Sequence, residues 1–205
     1  MTLIKSISGF RGTIGGKTND GLTPLDIVKF ASAYGSWIIK NNNGGIPAVV
    51  VGRDARLSGT MVNNIVCGTL MGLGIDVFDL DLSTTPTVEM AVTELKAHGG
   101  IILTASHNPK QWNALKLLNS KGEFISEEEG KYILQLADKE EFEYCEVGNL
   151  GKYSKRDDML QKHIEKILKL PYVDIKAIAA ADFAVSVDAV NSSGGIAVPM
   201  LLEAL

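Results

Sequence analysis

The chain has 205 residues, enough for one well-filled core and part of a second. Hydrophobic residues make up 45% and charged residues 21%, the balance of an ordinary globular domain. Lysine and arginine total 20 against 24 aspartates and glutamates, and the net charge of −4 excludes the broad basic field of a nucleic-acid binder. No apolar run approaches the length of a membrane span, and Met1–Lys5 lacks the basic-then-apolar layout of a signal peptide. Cys67 and Cys145 have no CxxC partner. They read as reduced thiols of a cytoplasmic protein, Cys67 packed in a helix, with no zinc site.

Residues 4–18 begin with alternation and pass into a glycine-rich loop. Gly16-Lys17-Thr18 imitates the end of a P-loop, but the pattern's first glycine would fall on Arg11 and no strand and helix flank it, so a nucleotide site is rejected. What remains is Ser8-Gly9-Phe10-Arg11-Gly12. It reads either as a guanidinium held between glycines and suited to a phosphate, or as a surface turn with a solvated arginine. Thr23-Pro24-Leu25-Asp26 starts a helix with a capping threonine, a proline at the first position and an acid at the positive end. Residues 41–45, three asparagines and two glycines, stop it, and Ala48–Val51 follows as a buried strand.

Arg53, Asp54 and Arg56 then occupy a strand-to-helix turn, with Ser58 expected to cap the next helix. The two arginines are either part of a site or a local ion pair at a helix entrance. Ile75–Leu82 is a strand whose Asp79 and Asp81 share a face by alternation. Such a pair suits a metal, but solvated or capping carboxylates are the reading taken. Thr85 and Pro86 open another helix, which ends before His98-Gly99-Gly100. Ala114–Leu118 reads as a strand, and Glu123–Ile125 as its hairpin return. Ser126 with Glu127–Glu129 caps a helix to about Asp138. Residues 139–155 look like a polar boundary. Arg156–Leu170 is an amphipathic helix, Phe183–Val187 a strand, and a helix begins near Ile196. The alternation of strands and helices up to about residue 138 predicts an α/β domain with a mainly parallel sheet and a hairpin at one side.

The chemistry concentrates after Gly99–Leu103, where Thr104-Ala105-Ser106-His107-Asn108-Pro109 sets a hydroxyl, an imidazole and an amide at a strand's C-terminal end. This is no nucleophile elbow, since Thr104 and Asn108 replace the required glycines. His107, as the serine's sequence neighbour, is poorly placed for a hydrolase triad. A phosphate-carrying serine instead needs cations, hydrogen-bond donors, a divalent metal and a group to take a proton. Arg11, Arg53, His107, Asn108 and Lys116, the lone cation of its apolar strand, are suitable types. The competing reading is a turn-capping Ser106 and a Lys116 reaching out to water.

Thr104–Pro109, with Asn113-Ala114-Leu115-Lys116 at the right distance, resembles the phosphoserine loop of the α-D-phosphohexomutase family, which includes phosphoglucomutase, phosphomannomutase and phosphoglucosamine mutase. Ser8–Gly12, Gly52-Arg53-Asp54-x-Arg56, Thr84–Thr87 and Val187–Asn191 through Gly194-Gly195 resemble further family segments in the family's order.

The resemblance implies a three-layer α/β/α domain with a mainly parallel mixed sheet over residues 1–150, a connecting helix and linker over 151–180, and the start of a second similar domain over 181–205. It implies that Ser106 carries a phosphate and passes it between the 1- and 6-positions of a hexose phosphate through a hexose 1,6-bisphosphate. Lys116 would move the proton. Arg11, Arg53, His107 and Asn108 would contact phosphate, and phosphorylated Ser106 would be one ligand of Mg²⁺. Asn113-Ala114 and Asn191-Ser192 depart from a common Asn-Gly, and the family's Asp-Gly-Asp-Gly-Asp metal loop does not occur. The missing C-terminal domains of the same chain are therefore expected partners, and these 205 residues alone are expected to be inactive. A non-catalytic sugar-phosphate binding or regulatory module and a serine phosphatase are the other readings.

Overall fold

A computed structural model describes residues 1–6, 9–42 and 44–205. Ser8 of the Ser8–Gly12 motif and Asn43 of the helix stop lie outside the described residues. The chain forms β1 (Ile4–Ser6), β2 (Gly9–Thr13), α1 (Pro24–Lys40), β3 (Ala48–Arg53), α2 (Gly59–Gly72), β4 (Asp76–Leu82) and α3 (Thr85–Glu94). It continues with β5 (Gly99–Leu103), β6 (Trp112–Leu118), α4 (Glu127–Lys139), a 3₁₀ turn at Val147–Asn149 and β7 (Tyr153–Lys155). Helices α5 (Met159–Leu168), α6 (Ile175–Ala180) and α7 (Gly194–Ala204) complete it.

The strands make one mixed sheet in the order β1-β2-β6-β5-β3-β4-β7. Strands β5, β3, β4 and β7 run parallel, while β1, β2, β6 and β5 pair antiparallel. The antiparallel share is thus larger than the single hairpin expected. On one face, Val49, Val51, Ile101, Leu115 and Leu117 pack under α1, α2 and α4. On the other, Val50, Ile102 and Leu118 meet Val88, Ala91 and Val92 of α3, with Met159 of α5. The alternation along each strand therefore fills two core layers. Among the described residues no helix is long and apolar enough to cross a membrane.

Local signals explain the helix starts. At α1, Thr23 and Asp26 form a reciprocal capping box, as do Ser126 and Glu129 at α4. Two starts differ from expectation. Thr84, not Thr85, caps α3, its hydroxyl accepting from Thr87 N at 3.3 Å. Ser58 occupies the cap position of α2 but makes no capping bond, because its Oγ accepts from the buried Asn113 amide at 2.9 Å.

Other corrections arise from pairing. Residues 9–13 are a strand rather than a loop, because β6 supplies a partner along their whole length. Gly9 makes that possible: its φ is +139°, and a β-carbon there would collide with the Leu115 backbone. Glu123–Ile125 makes only a bridge, Leu118 to Phe124. The expected boundary contains β7, which pairs with β4 and carries the sheet past residue 150. Phe183–Val187 is no strand. It pairs with nothing among the described residues, and Phe183, Val185 and Val187 lie exposed. Helix α6 precedes it without having been expected.

The topology sets the site. Strand β3 leads through α2 to β4 on one side, and β4 returns through α3, on the opposite face, to β5 on β3's other side. The C-terminal ends of β3 and β5 are therefore adjacent at a reversal of strand order, the usual place for a ligand in open α/β sheets. Asp54 N donates to Leu103 O at 3.0 Å and joins the two exits.

Candidate active site at the ends of β3 and β5

The loop after β5 turns at Ser106, whose φ of 54° is left-handed and uncommon for a residue with a β-carbon. Both its backbone polar groups are engaged. Ser106 N donates to Thr104 Oγ1 at 3.1 Å, and Ser106 O accepts from Arg56 Nη2 at 2.7 Å. Asn108 N closes the turn on Ala105 O at 3.1 Å. Ser106 and His107 are exposed and Asn108 is half-buried. The loop's backbone is held by hydrogen bonds on both sides of Ser106, while Ser106 and His107 are exposed to solvent.

The loop after β3 supports it. Asp54 accepts from the Thr104 hydroxyl at 2.6 Å and from Arg56 Nε at 3.1 Å. Arg56 also reaches the carbonyls of Asn108, Pro109 and Trp112. The sequence placed both arginines beside this loop without showing which one enters it. Arg56 does. Arg53 is held by Asp81 at 2.6 Å and by Asp54 O at 3.3 Å, so a phosphate there would displace a carboxylate. Asp81 adopts a φ of 52°, which breaks the alternation that would have set it beside Asp79. Asp79 is buried and accepts from Asn63 and from the Tyr153 hydroxyl, both at 2.7 Å. The two carboxylates are committed to protein groups and form no metal pair.

Lys116 and Arg11 meet on the other side of β5. In register, Gly9 faces Lys116 and Arg11 faces Ala114, so the two cations are diagonal neighbours on one face of the sheet. They line a cleft of 290 Å³ that Ser106 does not line. No hydrogen bond or ion pair engages either cation among the described residues. Glu89 of α3 is the nearby charge that the sequence did not single out. Burial pushes its carboxyl above the ordinary value, and the Lys116 ammonium opposes that rise. Its position between apolar residues of a helix gave no signal of this electrostatic influence.

Residues 3–144 match the profile of phosphoglucomutase/phosphomannomutase, alpha/beta/alpha domain I. The chain belongs to the phosphoglucomutase/phosphomannomutase family. It is 34% identical over 196 residues to a phosphoglucomutase/phosphomannomutase of Thermococcus kodakarensis, covering 95% of this chain and 42% of that protein. It is also 34% identical over 198 residues to a phosphoglucosamine/phosphogalactosamine mutase of Sulfurisphaera tokodaii, covering 96% of this chain and 41% of that one. A solved structure from Thermus thermophilus, assigned as a phosphomannomutase, superposes with a TM-score of 0.71 at 32% identity, over 87% of this chain and 38% of its own. A family protein from Burkholderia thailandensis shares the fold with a TM-score of 0.74 at 24% identity, over 98% of this chain and 42% of its own. The chain thus spans about two fifths of the length of these relatives.

Within this phosphoglucomutase/phosphomannomutase domain, the fit to Mg²⁺ is partial. A phosphate on Ser106 would offer one ligand. Among the described residues no three His, Cys, Asp or Glu side chains converge to hold a metal ion. These residues by themselves do not make a complete metal site.

Proposed function

We propose that this chain is the phosphoserine-bearing part of a phosphohexomutase, moving a phosphoryl group between the 1- and 6-positions of a hexose phosphate. The observation that carries the reading is Ser106 itself. It is an exposed hydroxyl on a turn whose backbone is bonded on both sides, at the switch in strand order. In the transfer, a sugar hydroxyl oxygen bonds to phosphorus as the bond from phosphorus to Ser106 Oγ breaks. Lys116 carries the sugar hydroxyl's proton to the departing serine oxygen. A hexose 1,6-bisphosphate results, and the reverse step with its other phosphate restores phospho-Ser106. Arg11, His107 and Asn108 would hold phosphate oxygens. Arg53, already engaged by Asp81, is the weakest of the candidates.

The remaining elements of the reading follow the family. Residues 1–150 together with β7 form the serine domain, the connector follows β7 to about residue 180, and 181–205 are the opening of a second domain. Mg²⁺ and the sugar-recognising parts would come with further domains, the protein acting in the cytoplasm. Residues 1–205 alone are then expected to lack turnover, since the sequence has no aspartate-rich metal loop.

The test is a mass spectrum of the protein purified from its source cells. We expect phosphate on the peptide containing Ser106 and none after Ser106→Ala. A Ser106 peptide that stays unmodified after incubation with hexose 1,6-bisphosphate and Mg²⁺ overturns the reading.

A further inference from the structure

We infer that Arg56 is the positioning residue of the serine loop, fixing the backbone that presents Ser106 and leaving phosphate to other residues. Its consequence for transfer rests on the phosphoserine reading above. A guanidinium has five N–H donors, and at Arg56 all five are spent. Nη2 donates to Ser106 O at 2.7 Å and Asn108 O at 2.9 Å. Nη1 donates to Pro109 O at 2.9 Å and Trp112 O at 3.0 Å, and Nε to Asp54 at 3.1 Å. No donor remains for a phosphate oxygen.

The arrangement is specific to arginine. Four carbonyls that point toward one place are like dipoles, unfavourable together unless a multidentate donor sits among them. A planar fork meets all four, whereas an ammonium offers three donors in a different geometry. Asp54 sets the plane of the fork. It takes Arg56 Nε and Arg56 N, the latter at 3.0 Å, and the Thr104 hydroxyl, which in turn receives Ser106 N. Ser106 is therefore tied by its carbonyl to Arg56 and by its N–H, through Thr104, to the partner of Arg56. The side chains of Arg56 and Asp54 are only 11% and 16% exposed, which shields the pair from solvent screening.

The experiment compares Arg56→Lys, Arg56→Met and Arg56→Gly in the full-length protein. Amide hydrogen exchange reads the loop peptide 103–113, and steady-state kinetics reads transfer. We expect loop exchange about tenfold faster in all three variants, with β3 and β5 still protected. We expect kcat to fall about 100-fold with KM nearly unchanged, the signature of a misplaced reacting group. Guanidinium ion at millimolar concentration should recover part of the kcat of Arg56→Gly, which a merely destabilised protein would not show. Unchanged loop exchange in Arg56→Lys overturns the inference. So does a rise in KM at constant kcat, which would make Arg56 a phosphate ligand. If the wild-type protein neither carries nor transfers phosphate, the phosphoserine reading fails, and loop exchange alone still decides the role of Arg56.

Discussion

At the scale of single residues, the site separates cations that build from cations that remain free. Arg53 and Arg56 are both consumed by protein oxygens, while Arg11 and Lys116 face an open cleft unpaired among the described residues. Charge alone did not distinguish the four in the sequence, since the difference lies in which protein oxygens, carboxylate or carbonyl, each one meets. Lys116 can be tested for proton transfer apart from charge. Arginine keeps the positive charge but does not give up its proton. Lys116→Arg is therefore expected to lose about 10²–10⁴ in kcat, as much as Lys116→Met, while phosphate on Ser106 persists in both. The check is turnover beside intact-mass phosphate stoichiometry. An active Lys116→Arg protein would reduce Lys116 to an electrostatic contact.

At the scale of elements, what was legible is what is encoded locally. The capped starts of α1 and α4, the buried valines of β3 and the loop after β5 were readable because each signal lies within a few residues. Strands β2 and β7 were not, because their backbones are organised by distant partners, β6 and β4. Phe183–Val187 is the converse, with strand-forming residues and no partner strand among the described residues. The exits of β3 and β5 were each visible, but the fork of Arg56 across them was not, because topology creates it. Strand β7 also gives a stability prediction. Gly151 is buried just before it, and Gly151 N donates to Met71 O at 2.9 Å. A β-carbon at Gly151 would overlap the Ile75 backbone, falling 2.8 Å from Ile75 N. Gly151→Ala must push β7 off β4, at a cost of about 1–3 kcal/mol. For a chain of this length that corresponds to a fall in Tm of about 2–12 °C by calorimetry. An unshifted Tm would mean that the segment yields without loss.

At the scale of the whole molecule, the layer beneath the sheet is closed by a histidine. His163 of α5 places Nδ1 2.9 Å from Thr87 Oγ1 of α3, joining the two helices on that face. Burial holds its imidazole below the ordinary pKa of 6.5, and the charge of Lys166 acts in the same direction. The folded protein thus keeps the ring neutral at pH values where the unfolded chain has already taken up a proton. In that window the unfolded state binds more protons, so acid favours unfolding. The stabilisation is complete above 6.5 and declines as the pH falls from 6.5 toward the folded value. Asp158 works in a separate window. Its hydrogen bond from Arg156 keeps it below the ordinary 3.8, so its contribution fades only in stronger acid. Glu89, whose raised carboxyl acts in the opposite sense, is common to wild type and a His163 variant, so the difference between their urea midpoints from about pH 7.5 down to about pH 5 isolates the histidine. The wild-type midpoint is expected to fall over that range, and His163→Gln to flatten the fall whatever its stability at neutral pH. Parallel slopes in the two proteins would show that the layer is closed by packing alone, with no proton linked to His163.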